Sequence, residues 1–359
     1  MDHAPTEKKF DSILIVQFAF PGDVVLTIPL LHAVNELFPQ SRLTFLGTPR
    51  GCEIVAGIAG LDIRTIVYDK RNVHQGISGF FHIVKQLRQT RYDLIVCAHK
   101  SLRTSLLVFL SRSGATIGFR ESAFSFLYSR TVHRNPAVHE IQRNLLLLTP
   151  VGYTPERMRV NLNPGIRPEE SREADKLMRA NGYRGGPAVG IAAGSVWSTK
   201  MWPAEYYIEL INRISDLYTT EIILLGSPDE TTLADQIQTN TACPVINLAG
   251  KTNIRMLGAV IRECSVLITN DSAPLHFSSA VKTPVIAFFG PTVPSFGFTP
   301  FDVPSLILED TKLNCRPCSS HGPAQCPKNH FQCMRGLSPS AIREKTESFL
   351  DTILERRNN

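Results

Sequence analysis

The feature that most constrains this chain is an alternation, run through twice, of short apolar β-rich stretches with helical ones. In the first half, Ile13-Leu14-Ile15-Val16 has the unbroken apolar character of a parallel strand buried on both faces. A turn at Ala19-Phe20-Pro21-Gly22-Asp23 leads into one expected helix carrying Val24, Val25, Ile28, Leu31, Val34, Leu37 and Phe38. Strands are predicted over 43–46, 63–68, 93–97 and 116–118, with helical runs around 79–89 and 102–111. The stretch 150–187 is rich in Pro, Gly and charge, and the domain boundary is expected inside it. The second half repeats the pattern, with strands over 189–192, 221–225, 245–248, 265–269 and 284–289. Helices over 204–217, 230–238, 253–262 and 273–281 lie between them. Strand–helix units of this length imply an α/β chain of two doubly wound parallel-sheet, Rossmann-like domains facing across a cleft. The expected division is 1–165, 166–336 and a last helix within 337–359. That helix starts at Ser338-Pro339, with Ser as N-cap, and is expected to pack back on the first domain.

Composition narrows the class. The chain has 359 residues, 43% hydrophobic and 19% charged, an ordinary globular balance. No stretch approaches the about 18 apolar residues of a transmembrane helix, and the opening MetAspHisAlaProThrGluLysLysPhe has no leader-like apolar core. A cytoplasmic location is therefore expected. The net charge of +6 is uneven: residues 1–165 hold 19 Lys+Arg against 12 Asp+Glu, while 166–359 hold 19 against 20. The basic half suits an anionic partner such as nucleic acid, a phosphorylated glycan or a lipid surface; a solvated basic face is the alternative. Cys52, Cys97, Cys243 and Cys264 read as small buried hydrophobes. Cys315, Cys318, Cys326 and Cys333 form C-x2-C-x7-C-x6-C, with His321 and His330 between them. That spacing could hold a structural Zn2+, or be a reduced packed loop, or carry disulfides.

Ligands of open parallel sheets bind beyond the carboxyl ends of the strands, where four loops carry unusual residues. At 269–276, ThrAsnAspSerAlaProLeuHis joins a strand to a small-residue helix, so free N–H groups and the helix dipole favour an anion there. Asp271 and His276 add a hydroxyl-binding carboxylate and an ionisable ring; alternatively Asp271 or Ser272 merely caps the helix. The loop 193–202 brings Ser195 and Thr199 as donors to phosphate and Lys200 as a compact positive charge. No acidic cluster sits beside them in sequence to hold Mg2+, so a diphosphate would be neutralised without metal. Glu230, after Leu225-Gly226, can accept from a ribose diol or serve as a first-turn carboxylate. Asp23 follows Gly22 where the first strand turns into its helix, as an N-cap or as a general base. The G-x-G-x-x-G spacing of a dinucleotide site is missing there.

Across residues 12–350 the chain resembles glycosyltransferase family 9, the bacterial lipopolysaccharide heptosyltransferases. The likeness rests on the run from Ile13 through Gly22-Asp23 to Pro29, on Lys200-Met201-Trp202-Pro203, and on Asn270–His276. Phe288-Phe289-Gly290-Pro291-Thr292 and the Cys-rich segment with Cys333-Met334 add to it. The cysteine pattern is more similar to the second heptosyltransferases of the pathway than to the first. The resemblance implies a GT-B fold, an acceptor-binding first domain and a sugar-nucleotide-binding second one. It implies an inverting transfer of heptose from ADP-heptose to the lipopolysaccharide inner core, with Asp23 as catalytic base. The implied donor residues are Ser195, Thr199, Lys200, Glu230, Thr252, Asp271, Ser272, Ala273 and His276. Lys100, Arg103 and Arg120 are the candidates for gripping the anionic acceptor. No cofactor, metal or nucleic-acid partner is implied, and contact with the inner face of the inner membrane would be peripheral. Two rival readings are an isomerase on the same fold, such as a UDP-sugar 2-epimerase, and a non-enzymatic polyanion-binding protein.

Overall fold

The computed structural model describes residues 10–155 and 160–357, so the opening nine residues read for a leader lie outside the described residues. The chain divides into two compact units, residues 1–165 and 166–359. The first runs β1 (Ser12–Gln17), α1 (Pro21–Val25), α2 (Ile28–Leu37), β2 (Arg42–Gly47), α3 (Pro49–Val55), β3 (Ile63–Val67), α4 (Gly76–Thr90), β4 (Leu94–Cys97), α5 (Leu102–Leu110), β5 (Ala115–Phe119), β6 (Arg130–Val132) and α6 (Glu140–Leu146). The second runs α7 (Pro168–Ala180), β7 (Ala188–Ala192), α8 (Ala204–Leu217), β8 (Glu221–Leu224), α9 (Thr231–Asn240), β9 (Val245–Asn247), α10 (Ile254–Glu263), β10 (Val266–Asn270), α11 (Ala273–Val281), β11 (Val285–Phe289), β12 (Ser305–Glu309), α12 (Gln332–Arg335) and α13 (Pro339–Leu350).

Each unit is built on one six-stranded parallel sheet. The spatial orders are β3-β2-β1-β4-β5-β6 and β9-β8-β7-β10-β11-β12, the same doubly wound order twice. Strand direction of travel therefore reverses between β1 and β4, and again between β7 and β10. Beyond the carboxyl ends of those pairs a crevice opens, because the two following connections leave on opposite faces. The central strands are buried on both sides, with Ile13, Ile15, Ile95, Ile191 and Ile268 all fully covered.

Three local departures from the sequence reading have plain causes. The helix expected from Val24 to Phe38 is two helices, broken at Leu26-Thr27. Pro29 has no N–H to give the Val25 carbonyl, and its ring crowds that oxygen, so the ladder cannot run through. The linker region 150–187 contains α7, whose charged sequence hides a packed face. Glu170 on it is buried and pairs with Arg255 of α10 at 2.5 Å and with Arg167 at 2.7 Å. Burial opposes that charge, but the two guanidiniums hold the Glu170 carboxyl down at about 2.

The third departure is the last helix. Its apolar positions were legible, but their target is the second unit's own core. Ile342, Leu350 and Leu354 share a cluster with Tyr207, Leu210, Ile214 and Tyr218 of the α8 region. Tyr218 also donates to Asp351 at 2.8 Å. The reason is geometric: α13 follows directly on α12, whose Met334 and Cys333 are already seated in that core. Leu350→Ala is accordingly expected to destabilise the second unit by about 2–5 kcal/mol in a thermal or denaturant unfolding curve. An unchanged curve would remove α13 from that core.

Candidate active site

In the second unit the switch point is organised by Asn270, the fully buried last residue of β10. Its Oδ1 accepts from the Trp202 backbone N–H at 3.0 Å and the Tyr207 hydroxyl at 3.1 Å, and its Nδ2 donates to the Ala193 carbonyl at 2.8 Å. Both ends of the loop 193–202 are thus tied to one side chain. Trp202 stacks on Phe288 at 4.2 Å and donates its indole N–H to the Leu337 carbonyl. Burial pushes the Tyr207 hydroxyl above its ordinary range, keeping it a neutral donor.

The fixed loop delivers Lys200 to Asp271. The ammonium lies 2.6 Å from Asp271 Oδ2 and 3.2 Å from the Asp271 carbonyl, and Thr292 donates to the same Oδ2 at 2.7 Å. Side-chain exposures of 13% and 8% make this an enclosed pair, where charges are not screened as at the surface. Two of the three ammonium donors are used, which leaves one N–H direction for a ligand oxygen. Asp271 is therefore not a helix cap. Ser272 holds the N-cap position of α11 but makes no side-chain cap bond. Ala273 starts the helix, with a first turn whose amides favour an anion. His276 is buried one turn further in, 6.3 Å from the Phe298 ring.

Glu230 sits where β7 and β8 end. Its Oε2 accepts the Ser227 N–H at 2.7 Å. A Cβ on Gly194 would lie 2.1 Å from Oε1, so only glycine lets this carboxylate lie against the start of the loop. Ser195 is half-buried on the same loop and accepts from the Trp197 N–H. Thr199 behaves differently from its sequence reading: it is buried and donates to the Pro323 carbonyl, as Ser198 does to Ala324. It anchors the loop to the Cys-rich segment. Thr252 lies off the switch point, on the loop between β9 and the N-cap Asn253 of α10.

The Cys-rich segment is a brace. Arg316, between Cys315 and Cys318, is almost fully buried and donates to the carbonyls of Phe289, Gly290, Thr292 and Asp310 and to Glu309. Cys318 N–H donates to the Pro291 carbonyl at 2.9 Å. Among the described residues no group of three or more His, Cys, Asp or Glu is placed to hold a metal. Cys333 is committed to the apolar core, where burial pushes its thiol up to about 11, and Cys318 donates to the Cys315 carbonyl.

In the first unit, Asp23 is the third residue of α1, half-buried, with Phe20 as N-cap and Pro21 at N1. The N-cap alternative is thereby excluded. Its backbone is held by Thr27, which donates to the Asp23 carbonyl at 2.8 Å and neighbours the Gln17 amide. Beyond β4, Arg103 donates to the Gly76 carbonyl at 2.9 Å and lies over the Tyr68 ring at 5.3 Å. Burial, reinforced by Arg134, lowers the Lys100 ammonium from its usual value, and Arg120 is exposed at the end of β5. Two further residues escaped the sequence reading. Lys70 lies 4.2 Å over the Phe18 ring, and burial with Arg103 nearby brings it down to about 8. His99 bonds Thr104 at 2.8 Å, and burial first, then Lys70 and Lys100, push it down to about 4. A basic residue just past a β-strand was the available signal for Lys70.

With this geometry in place, the family model for glycosyltransferase family 9 (heptosyltransferase) matches residues 80–326. The chain belongs to glycosyltransferase family 9. It is 28% identical over 286 residues to lipopolysaccharide heptosyltransferase 3 of Escherichia coli, covering 76% of this chain and 82% of that one. The family 9 glycosyltransferase structure from Veillonella parvula superposes with a TM-score of 0.83 at 22% identity, covering 97% and 99% of the two chains. The E. coli ADP-heptose lps heptosyltransferase II structure gives 0.75 at 19%, covering 95% and 99%. The fold is the GT-B fold of these family 9 structures, and the protein is a glycosyltransferase enzyme.

His99 supplies a pH prediction. The unfolded chain, with His near 6.5, takes up the proton before the folded enzyme does near 4. Stability is complete above that window and falls as pH drops from 6.5 towards 4. His99→Gln is expected to flatten the fall in Tm across this range; a variant as acid-sensitive as wild type would contradict the assignment.

Proposed function

We propose that this glycosyltransferase moves heptose from ADP-heptose to the inner core of lipopolysaccharide, with inversion at the anomeric carbon. The observation that carries the reading is the Lys200–Asp271–Thr292 cluster at the start of α11. There, an ammonium and helix amides meet growing phosphate charge, beside a carboxylate that suits sugar hydroxyls. The names of the relatives, heptosyltransferase 3 and ADP-heptose heptosyltransferase II, support heptose as the sugar and ADP as the nucleotide.

The second unit binds the donor. Lys200, Ser195 and the amides at Ser272 and Ala273 take the diphosphate, Glu230 the ribose, and Asp271 the heptose hydroxyls. Thr252 and His276 complete the donor set, and Thr199 serves it by fixing the loop. Asp23 of the first unit is the general base. It takes the proton of an acceptor hydroxyl as that oxygen forms a bond to the anomeric carbon. The anomeric carbon–phosphate oxygen bond breaks from the opposite face, and ADP leaves with the electron pair. Lys100, Arg103 and Arg120 grip the carboxylates and phosphates of the acceptor. The enzyme works in the cytoplasm, at the inner face of the inner membrane, where a lipid-borne acceptor would present its sugars. Family membership favours neither the 2-epimerase reading nor a non-enzymatic polyanion binder.

Asp23→Asn tests the base. Transfer from ADP-heptose to inner-core acceptor, followed by product mass and ADP release, should slow by about 10^2–10^4 in kcat. Donor Kd should stay at the wild-type value. Wild-type turnover by the variant would leave Asp23 with a helix-terminus role alone.

A further inference from the structure

The first unit carries a surface that donor and base chemistry do not use. Among the described residues, ten of the eleven large hydrophobic side chains that stand exposed belong to this unit. They concentrate on α4, on α5 and on the turn at 124–126. Helix α4 buries Ile83, Val84 and Leu87 against its sheet, yet leaves Ile77 76% and Phe81 55% exposed. Lys85 and Arg88 continue that outer stripe at helical spacing and are exposed too. Helix α5 packs against both α4 and the turn Ser125–Leu127, so the three patches are neighbours. In that turn Phe126 is 78% exposed. Phe124 beside it is held at φ +59°, a left-handed backbone uncommon for an aromatic residue. Exposed large apolar side chains gathered on neighbouring elements are the mark of an interaction face.

Charge says what kind of partner it meets. Between residues 70 and 120 the sequence has nine Lys and Arg and a single acid, Asp93. Asp93 accepts from the Asp11 and Ser12 N–H groups and the Ser12 hydroxyl of β1. Of those Lys and Arg, Lys85 and Arg88 stand on the exposed stripe of α4 that carries Ile77 and Phe81. Aromatic and aliphatic side chains flanked by Lys and Arg are the makeup of a face that inserts shallowly into an anionic bilayer.

We infer that the α4–α5–Phe126 face is a docking surface for membranes rich in anionic phospholipid. A lipid-borne acceptor, as read above, gives this face its use; vesicles lacking any acceptor test it apart from that reading. The full chain is sedimented with phosphatidylcholine vesicles and with vesicles containing phosphatidylglycerol. Wild type should partition onto the anionic vesicles at least about tenfold better than onto neutral ones, and less as salt is raised. Ile77→Asp/Phe81→Asp/Phe126→Asp and, separately, Lys85→Glu/Arg88→Glu should each lose about tenfold in partitioning. Both should keep the wild-type Tm and wild-type transfer to a delipidated acceptor. Equal partitioning of wild type onto the two vesicle types, or wild-type partitioning by either variant, would overturn the docking face. Vesicle binding by a chain that transfers no heptose would sink the functional reading and leave the face standing.

Discussion

The second unit depends on one buried amide. Asn270 is the point where β10 stops being sheet and starts being site, and its side chain answers three groups that would otherwise be buried without partners. Leaving such groups unsatisfied costs about 1–3 kcal/mol each, so the loop 193–202 has one stable course. That course decides where Lys200 goes. Without it, a long flexible ammonium would have no reason to meet Asp271, and the enclosed pair would not form. The Cys-rich brace, through Arg316, Thr199 and Ser198, closes the loop from its other side.

The two units share one topology but line its crevice with different residues. Each sheet has the same strand order, so each exposes a crevice at the same place, after its first and fourth strands. In the second unit that crevice is lined by a helix start, a paired Lys and a carboxylate. In the first it carries a carboxylate on α1, and cations lie over the aromatic faces of Phe18 and Tyr68. Lys70 and His99 are both pulled down by burial among like charges, which is the electrostatic state of a cluster suited to an anion. Fold places the two crevices, and the loop residues make their linings different.

Much of this was legible because the alternation of apolar strands with amphipathic helices is a local signal. The helix Ala204–Leu217 could be bounded from its own residues, and so could the turn at Asp271. What stayed hidden was long-range. Lys200 and Asp271 are 71 residues apart, and nothing local says that one will neutralise the other. Thr199 reads as a phosphate donor until the carbonyl of Pro323 is found 124 residues on. Helix α7 was lost among charges because Glu170 is buried only by virtue of Arg255 on α10. Spacing alone left zinc, a reduced packed loop and disulfides open at the cysteines; that Cys333 sits in the core depends on residues far along the chain. Pro29, by contrast, was a local signal whose consequence for α1 and α2 could have been drawn from the sequence.

The proposed function requires that the Lys200–Asp271–Thr292 cluster on the second unit hold the departing nucleotide without the help of a metal. Isothermal titration of ADP-heptose in the presence of EDTA, into wild type and Lys200→Ala, addresses it most directly. Wild type should bind at one site with an affinity that EDTA does not change. Lys200→Ala should lose about tenfold or more, since a charge-assisted hydrogen bond in an enclosed site contributes about 1.5–3 kcal/mol. Binding that vanishes with EDTA, or an unchanged Kd in the variant, would contradict the claim.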